Sequence, residues 1–157
     1  RYGHEVGITD WINTSSESPT GEEWTVGLDS SLVTWPELLR QAGYATGLIG
    51  KWHLGERDEF HPGQHGYDYF MGFRGGATKT VDPPLETGGV IREYSGLTAD
   101  ILAGQAIAFI AENRDRPFCL SLHHRAPHGA WLGGRRRGWR AGPPRPGRSA
   151  RRRARVA

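Results

Sequence analysis

Lys51 and His53 stand two residues apart in the segment Gly50-Lys51-Trp52-His53, beside a glycine that lets backbone approach closely. A lysine can grip an anion, and a histidine can pass a proton near neutral pH. A solvated turn with chance charges explains the pair equally well on residue types alone. His128, in Ala126-Pro127-His128, closes a second histidine-bearing stretch that begins at His123 and His124. Neighbouring residues of an extended segment point opposite ways, so at most one of His123 and His124 would line a site there. His61 and His65 are four apart, but the intervening Pro62 and Gly63 argue against a helical metal pair, and a surface loop is the simpler reading. Gly75 to Thr80 lacks the spacing and the Gly-Lys pair of a phosphate loop. The single cysteine, Cys119, excludes an intrachain disulfide; within Phe118-Cys119-Leu120-Ser121-Leu122 it reads as a core thiol.

The elements that must position these residues follow from pattern. Residues 1–31 are polar and read as loop. Thr34-Trp35-Pro36-Glu37 fits a capping box opening a helix whose apolar face is Leu38, Leu39 and Ala42, with Gly43 at its stop. Ala45 to Gly50 is short, apolar and bounded by glycines, as a buried strand is, and Lys51 to Gly55 follows as a loop. Residues 56–96 look irregular, a long excursion of the kind that often carries function. A second helix is predicted from about Thr98 to Asn113, with a stripe of Leu102, Ala103, Ala106, Ile107 and Ile110. Phe118 to Leu122 reads as a second buried strand, and 123–128 as the loop after it. Helix, strand, excursion, helix, strand is the rhythm of an α/β fold with a mainly parallel sheet. Such sheets bind ligands outside the carboxyl ends of their strands. If the two strands are parallel neighbours, the loops bearing Lys51 and His128 open on one edge.

Longer stretches are more specific. Gly43-Tyr44-Ala45-Thr46-Gly47-Leu48-Ile49-Gly50-Lys51-Trp52-His53-Leu54-Gly55 resembles the second signature of the sulfatase family, GYxTxxxGKWHLG. Leu38 to Ala42 before it is similar to the family as well. Arg1 to His4 with Gly7-Ile8-Thr9, Gly66 to Phe73, and Pro117 to His128 resemble further family segments in matching order, so the likeness covers residues 1 to about 131. It implies a partial alkaline-phosphatase-like catalytic domain that hydrolyses sulfate esters. It implies that Lys51, His53 and His128 contact the ester: the lysine balances charge on its oxygens, and His53 protonates or hydrogen-bonds the leaving oxygen. Family enzymes also use a calcium ion and a formylglycine made from a C-x-P-S-R-type motif. Neither that motif nor the family's Asp and Asp-Asn metal ligands occur in this sequence, so the chain as given is expected to lack turnover. The resemblance further implies a sulfate-ester small molecule or glycan as substrate, and a periplasmic or extracellular location. A phosphatase or phosphonate monoester hydrolase of the same superfamily is the alternative, because both esters are tetrahedral anions.

Charge divides the chain differently. The net +3 arises from residues 132–157, which hold ten arginines and no acid; residues 1–131 carry ten basic and seventeen acidic residues, a net −7. The Arg/Gly/Pro/Ala tail has almost nothing to bury. Three origins fit: a nucleic-acid-binding arm, a solvated terminus, or a GC-rich coding sequence read in a shifted frame. The shifted frame is favoured over the other two, since family likeness stops at the same place, and no nucleic-acid partner is expected. No run is long and apolar enough to span a membrane.

Overall fold

The computed structural model describes residues 27–125. The readings of residues 1–26, of His128 and of the 132–157 tail lie outside the described residues. In chain order the elements are α1 (Trp35–Gln41), β1 (Ala45–Lys51), two 3-10 turns (Asp58–Phe60 and Pro62–His65), β2 (Tyr69–Phe73), β3 (Pro84–Thr87), β4 (Val90–Glu93), α2 (Thr98–Asn113) and β5 (Phe118–His123). The strands form one sheet in the order β4-β3-β2-β1-β5. β1 pairs in parallel with both β2 and β5, while β3 runs antiparallel between β2 and β4. Four of the five strands therefore point the same way. This is the mainly parallel α/β sheet the pattern predicts, with an antiparallel hairpin at one edge.

β1 is central because it is apolar on both faces. Ile49 joins Met71, Phe73 and Leu85 under the Leu102, Ala106 and Phe109 side of α2. Leu48 faces the other way, onto Trp52, Tyr67 and Phe70. Gly47 admits the helix: a Cβ there would lie 2.7 Å from the Phe109 ring. The buried stripe of α2 differs from the predicted one. It runs through Thr98, Leu102, Ala106, Phe109 and Asn113, while Ile107 and Ile110 are exposed. Ile107 lies about 100° around the helix from Ala106, so the stripe that includes Ala106 and Phe109 leaves it on the shoulder.

α1 is anchored by polar contacts more than by its apolar face, since Leu38 is 55% exposed. Glu37 accepts the Thr34 backbone N–H at 2.6 Å, and the Thr34 hydroxyl lies within 2.9 Å of both that carboxylate and the His65 carbonyl. The predicted capping box thus forms, and the threonine hydroxyl also reaches the neighbouring turn at the His65 carbonyl. Those hydrogen bonds hold the Glu37 carboxyl below its ordinary range.

The excursion at 56–96 is not irregular. It holds both 3-10 turns and strands β2, β3 and β4. Its short strands and frequent glycines and prolines hid the period, and its organising contact is ionic. Arg74 Nε and Nη2 donate to the two oxygens of Glu86 at 2.7 and 2.8 Å, and Nη1 donates to Asp58 at 2.6 Å and to the Glu56 carbonyl at 2.9 Å. His61 Nε2 lies 3.3 Å from the same Glu86 carboxylate, while its Nδ1 accepts the Gly63 N–H. This corrects the surface-loop reading of the histidine pair. His61 belongs to the ionic knot, and His65 is buried and stacked on Trp52 at 5.5 Å. The Arg74 hydrogen bonds hold the Glu86 carboxyl below 4.5 against the opposing effect of burial. A depressed folded-state value means that the stabilisation is fully present above about pH 4.5 and is lost as pH falls through the lower folded value. Glu86→Gln is expected to cost about 1.5–3 kcal/mol near pH 7 and to flatten the acid limb of stability against pH. Urea midpoints between pH 3 and 7 check both.

Candidate functional site

The parallel register pairs Gly50 with His123, so β1 and β5 end together. Lys51 closes β1 at the carboxyl edge of the sheet, half-buried. Its backbone is held from the β5 side by His123, whose Nδ1–H donates to the Lys51 carbonyl at 3.0 Å. From the β2 side, the Trp52 N–H donates to the Phe73 carbonyl at 3.0 Å and the His53 N–H to the Arg74 carbonyl at 2.8 Å. The segment is therefore clamped between two strands beyond the end of its own.

Trp52 is the anchor between the two chemically able residues. Its indole N–H donates to the Phe60 carbonyl at 2.8 Å, and its ring packs edge-on to Tyr67. His53 has a left-handed backbone, φ +60°, a conformation a non-glycine residue holds only when its surroundings impose it. The two flanking hydrogen bonds and the buried indole impose it here. Burial, and then the nearby Arg125 charge, push the Lys51 ammonium below its ordinary value of 10.5.

Gly50 is the steric condition for this arrangement. Its φ is +112°, and a Cβ would meet the His123 carbonyl oxygen at 2.0 Å. On the other side, a Cβ on Gly72 would meet the Gly50 oxygen at 1.9 Å. Gly50→Ala is expected to cost at least about 2 kcal/mol through strain at positive φ alone, before the clash is counted. Thermal unfolding should show the loss, and Gly43→Ala, with positive φ and open space around its Cβ, should lose less.

Of the predicted residues, the structure places Lys51 and His53 at the carboxyl edge beside the end of β5. His128 lies beyond the described residues. His123 serves the Lys51 backbone, and His124 is exposed. Cys119 lies within β5 opposite Thr46, partly exposed rather than fully in the core, and burial raises its thiol above the ordinary value. Sequence reasoning missed Arg125, directly after this edge. Its Nη1 donates to the Thr78 carbonyl at 3.0 Å and to the Thr80 hydroxyl at 3.3 Å. Thr78 also lines a cleft of about 520 Å³ with Gly72, Phe73, Arg74, Gly75 and Glu86. Phe73 is the register partner of Lys51, so the cleft opens beside the same strand ends. A second cleft, of about 430 Å³, is more apolar and lies against Trp35, Trp52 and Tyr67.

The sulfatase family model matches residues 9–147, most of the chain. The chain belongs to the sulfatase family. It is 33% identical over 136 residues to an N-acetylglucosamine-6-O-sulfatase of Bacteroides thetaiotaomicron, a match that covers 84% of this chain and 21% of that protein. It is 47% identical over 53 residues to human N-acetylgalactosamine-6-sulfatase, covering 34% of this chain and 10% of the relative. The fold is similar to the crystal structure of Ps i-CgsB, with a TM-score of 0.73 and 27% identity over 83% of this chain and 33% of that one. It is also similar to BT4656, solved with its substrate D-glucosamine-2-N,6-O-disulfate, with a TM-score of 0.65 and 29% identity over 84% of this chain and 24% of that one. The chain thus spans a tenth to a third of the length of these relatives. Its described part is a piece of the sulfatases' alkaline-phosphatase-like α/β sheet.

The calcium ion and formylglycine that family resemblance implies do not fit the described residues. No group of three or more His, Cys, Asp or Glu side chains there could hold a metal. Cys119, paired along β1 in mid-strand, is not presented as a nucleophile. No helix among the described residues is long and apolar enough to cross a membrane.

Proposed function

We propose that this chain supplies the anion-holding part of a sulfatase active site, with Lys51, His53 and His128 as its substrate-contacting residues. The observation that carries the reading is the clamped Lys51–His53 segment at the carboxyl edge of β1, within a chain of sulfatase descent. The backbone that carries the half-buried Lys51 is held there by hydrogen bonds from both sides, so the segment needs little rearrangement to present its side chain to an anion. Sulfuryl transfer places negative charge on the non-bridging oxygens and on the departing oxygen. Lys51 would balance the first, and His53 would donate a proton or hydrogen bond to the second. His128 would add a further sulfate-side contact.

The attack itself belongs to groups beyond the described residues. In the intact family enzyme, formylglycine would supply the nucleophile and calcium the counter-charge, and neither is assigned a holder here. The substrate class is a sulfate ester on a small molecule or glycan, in keeping with the sulfated amino sugars named for the relatives. The test compares matched sulfate and phosphate monoesters of one alcohol with the intact protein that contains this chain. Faster turnover of the sulfate ester supports the reading, and a preference for phosphate replaces it with a phosphatase of the same superfamily.

A further inference from the structure

Arg125 is held in an unusual way. Its Nη1 bridges the mouth of the sheet from the end of β5 to Thr78 and Thr80, in the segment between β2 and β3. That leaves Nε and Nη2 without a hydrogen-bond acceptor among the described residues. No described carboxylate pairs with Arg125, and none pairs with Lys51. The other arginine at the cleft, Arg74, contrasts with it, because Glu86 and Asp58 saturate its fork. Both Lys51 and Arg125 are half-buried, and they are close enough that Arg125 disfavours the charge on Lys51. Two cations kept near one another without an acid cost free energy that an anion between or beside them would recover.

A sulfate monoester brings one negative charge, and Lys51 already answers it. The free edge of a guanidinium is a planar fork suited to a second oxyanion. The Thr78 contact ties Arg125 to a residue that lines the 520 Å³ cleft.

We propose that Arg125 is a specificity residue that binds a second anionic group of the substrate, a sulfate or carboxylate carried next to the reacting ester. This rests on the sulfatase reading. The substrate is then a multiply charged sugar, and the site discriminates against a singly sulfated one through Arg125.

The test uses the intact protein containing this chain, with three probes: 4-nitrophenyl sulfate, glucosamine 6-O-sulfate, and glucosamine 2-N,6-O-disulfate. The wild type should prefer the disulfate to the 6-O-sulfate. Arg125→Met should lower that ratio of kcat/KM by about 10- to 100-fold, as loss of a charge-assisted hydrogen bond does, chiefly through KM. Arg125→Lys should recover part of the ratio by restoring charge. Thr80→Val loosens the tie and keeps the guanidinium, so it should leave the ratio close to that of the wild type. An unchanged ratio in Arg125→Met, or an equal fall in Thr80→Val, would mean that Arg125 only fastens the 78–80 segment, and the proposal fails alone. If the wild type hydrolyses none of the three probes, the sulfatase reading fails and takes this one with it.

Discussion

Replacing Lys51 with methionine is expected to lower kcat/KM for a sulfate ester by about 10²–10³-fold in the intact protein, while leaving its melting temperature within a few degrees. The size follows from removing one preorganised charge from a transition state that accumulates negative charge, an effect of roughly 2.7–4 kcal/mol in comparable sites. The small stability change follows from the environment. Among the described residues Lys51 has no carboxylate partner, and burial together with Arg125 already works against its charge. Methionine keeps most of the aliphatic stem and abolishes that cost. The hydrogen bonds that hold the segment use the Lys51 carbonyl, not its side chain. Lys51→Arg should restore less than the charge alone would suggest, because a guanidinium cannot replace a compact ammonium in the same space. The depressed Lys51 value adds a pH signature: charge is lost as pH rises through a value below 10.5, so the alkaline limb attributable to Lys51 should lie below that of an ordinary lysine. Steady-state rates across pH, with a melt of each variant, check all three statements.

The place of Lys51 at the end of a parallel strand is legible in the sequence, and the reason is physical. The predicted strands at Ala45 to Gly50 and Phe118 to Leu122 are apolar runs closed by punctuation, and their ends moved by one residue each, to Lys51 and His123. Because parallel strands end at one edge, those two short runs were enough to bring Lys51 beside β5. The segment from 56 to 96 was opaque for the opposite reason. Its strands are four or five residues long, too short to show a period, and what ties them together is the Arg74–Glu86–His61 knot, whose members are 12 and 25 residues apart. Polar partners at such separations leave no mark on local pattern. Ile107 and Ile110 show a third limit. They are apolar, and they lie on the side of α2 that no described element covers. A stripe read from hydrophobicity alone cannot say which of two apolar shoulders meets this sheet. Arg125 escaped because a lone arginine before Ala126-Pro127-His128 has no local signal; only its reach to Thr78 and Thr80 distinguishes it.

His53→Asn separates fold from chemistry most sharply. His53 is one of two described non-glycine residues at positive φ, and such a residue stores about 1–3 kcal/mol of strain. Asparagine tolerates the left-handed region better than most side chains, so the variant should be as stable as the wild type or slightly more so. His53→Val should be clearly less stable, since a β-branched residue is least at home there. The clamp would survive in the asparagine variant, because its hydrogen bond from position 53 uses the backbone N–H to the Arg74 carbonyl. What the variant loses is a group that can pass a proton. If His53 protonates the leaving oxygen, kcat should fall by about 10²–10⁴-fold. The fall should be steepest for poor leaving groups such as sugar alcohols, and shallow for 4-nitrophenol, which departs without help. A uniform loss across leaving groups would assign His53 to binding the sulfate oxygens instead. A variant that unfolds would show that the histidine side chain, and not the surrounding clamp, holds the left-handed turn. If His53 acts on the leaving oxygen, the strain at this one residue joins the local backbone to the reaction, because the sheet edge holds residue 53 in a conformation that most side chains avoid.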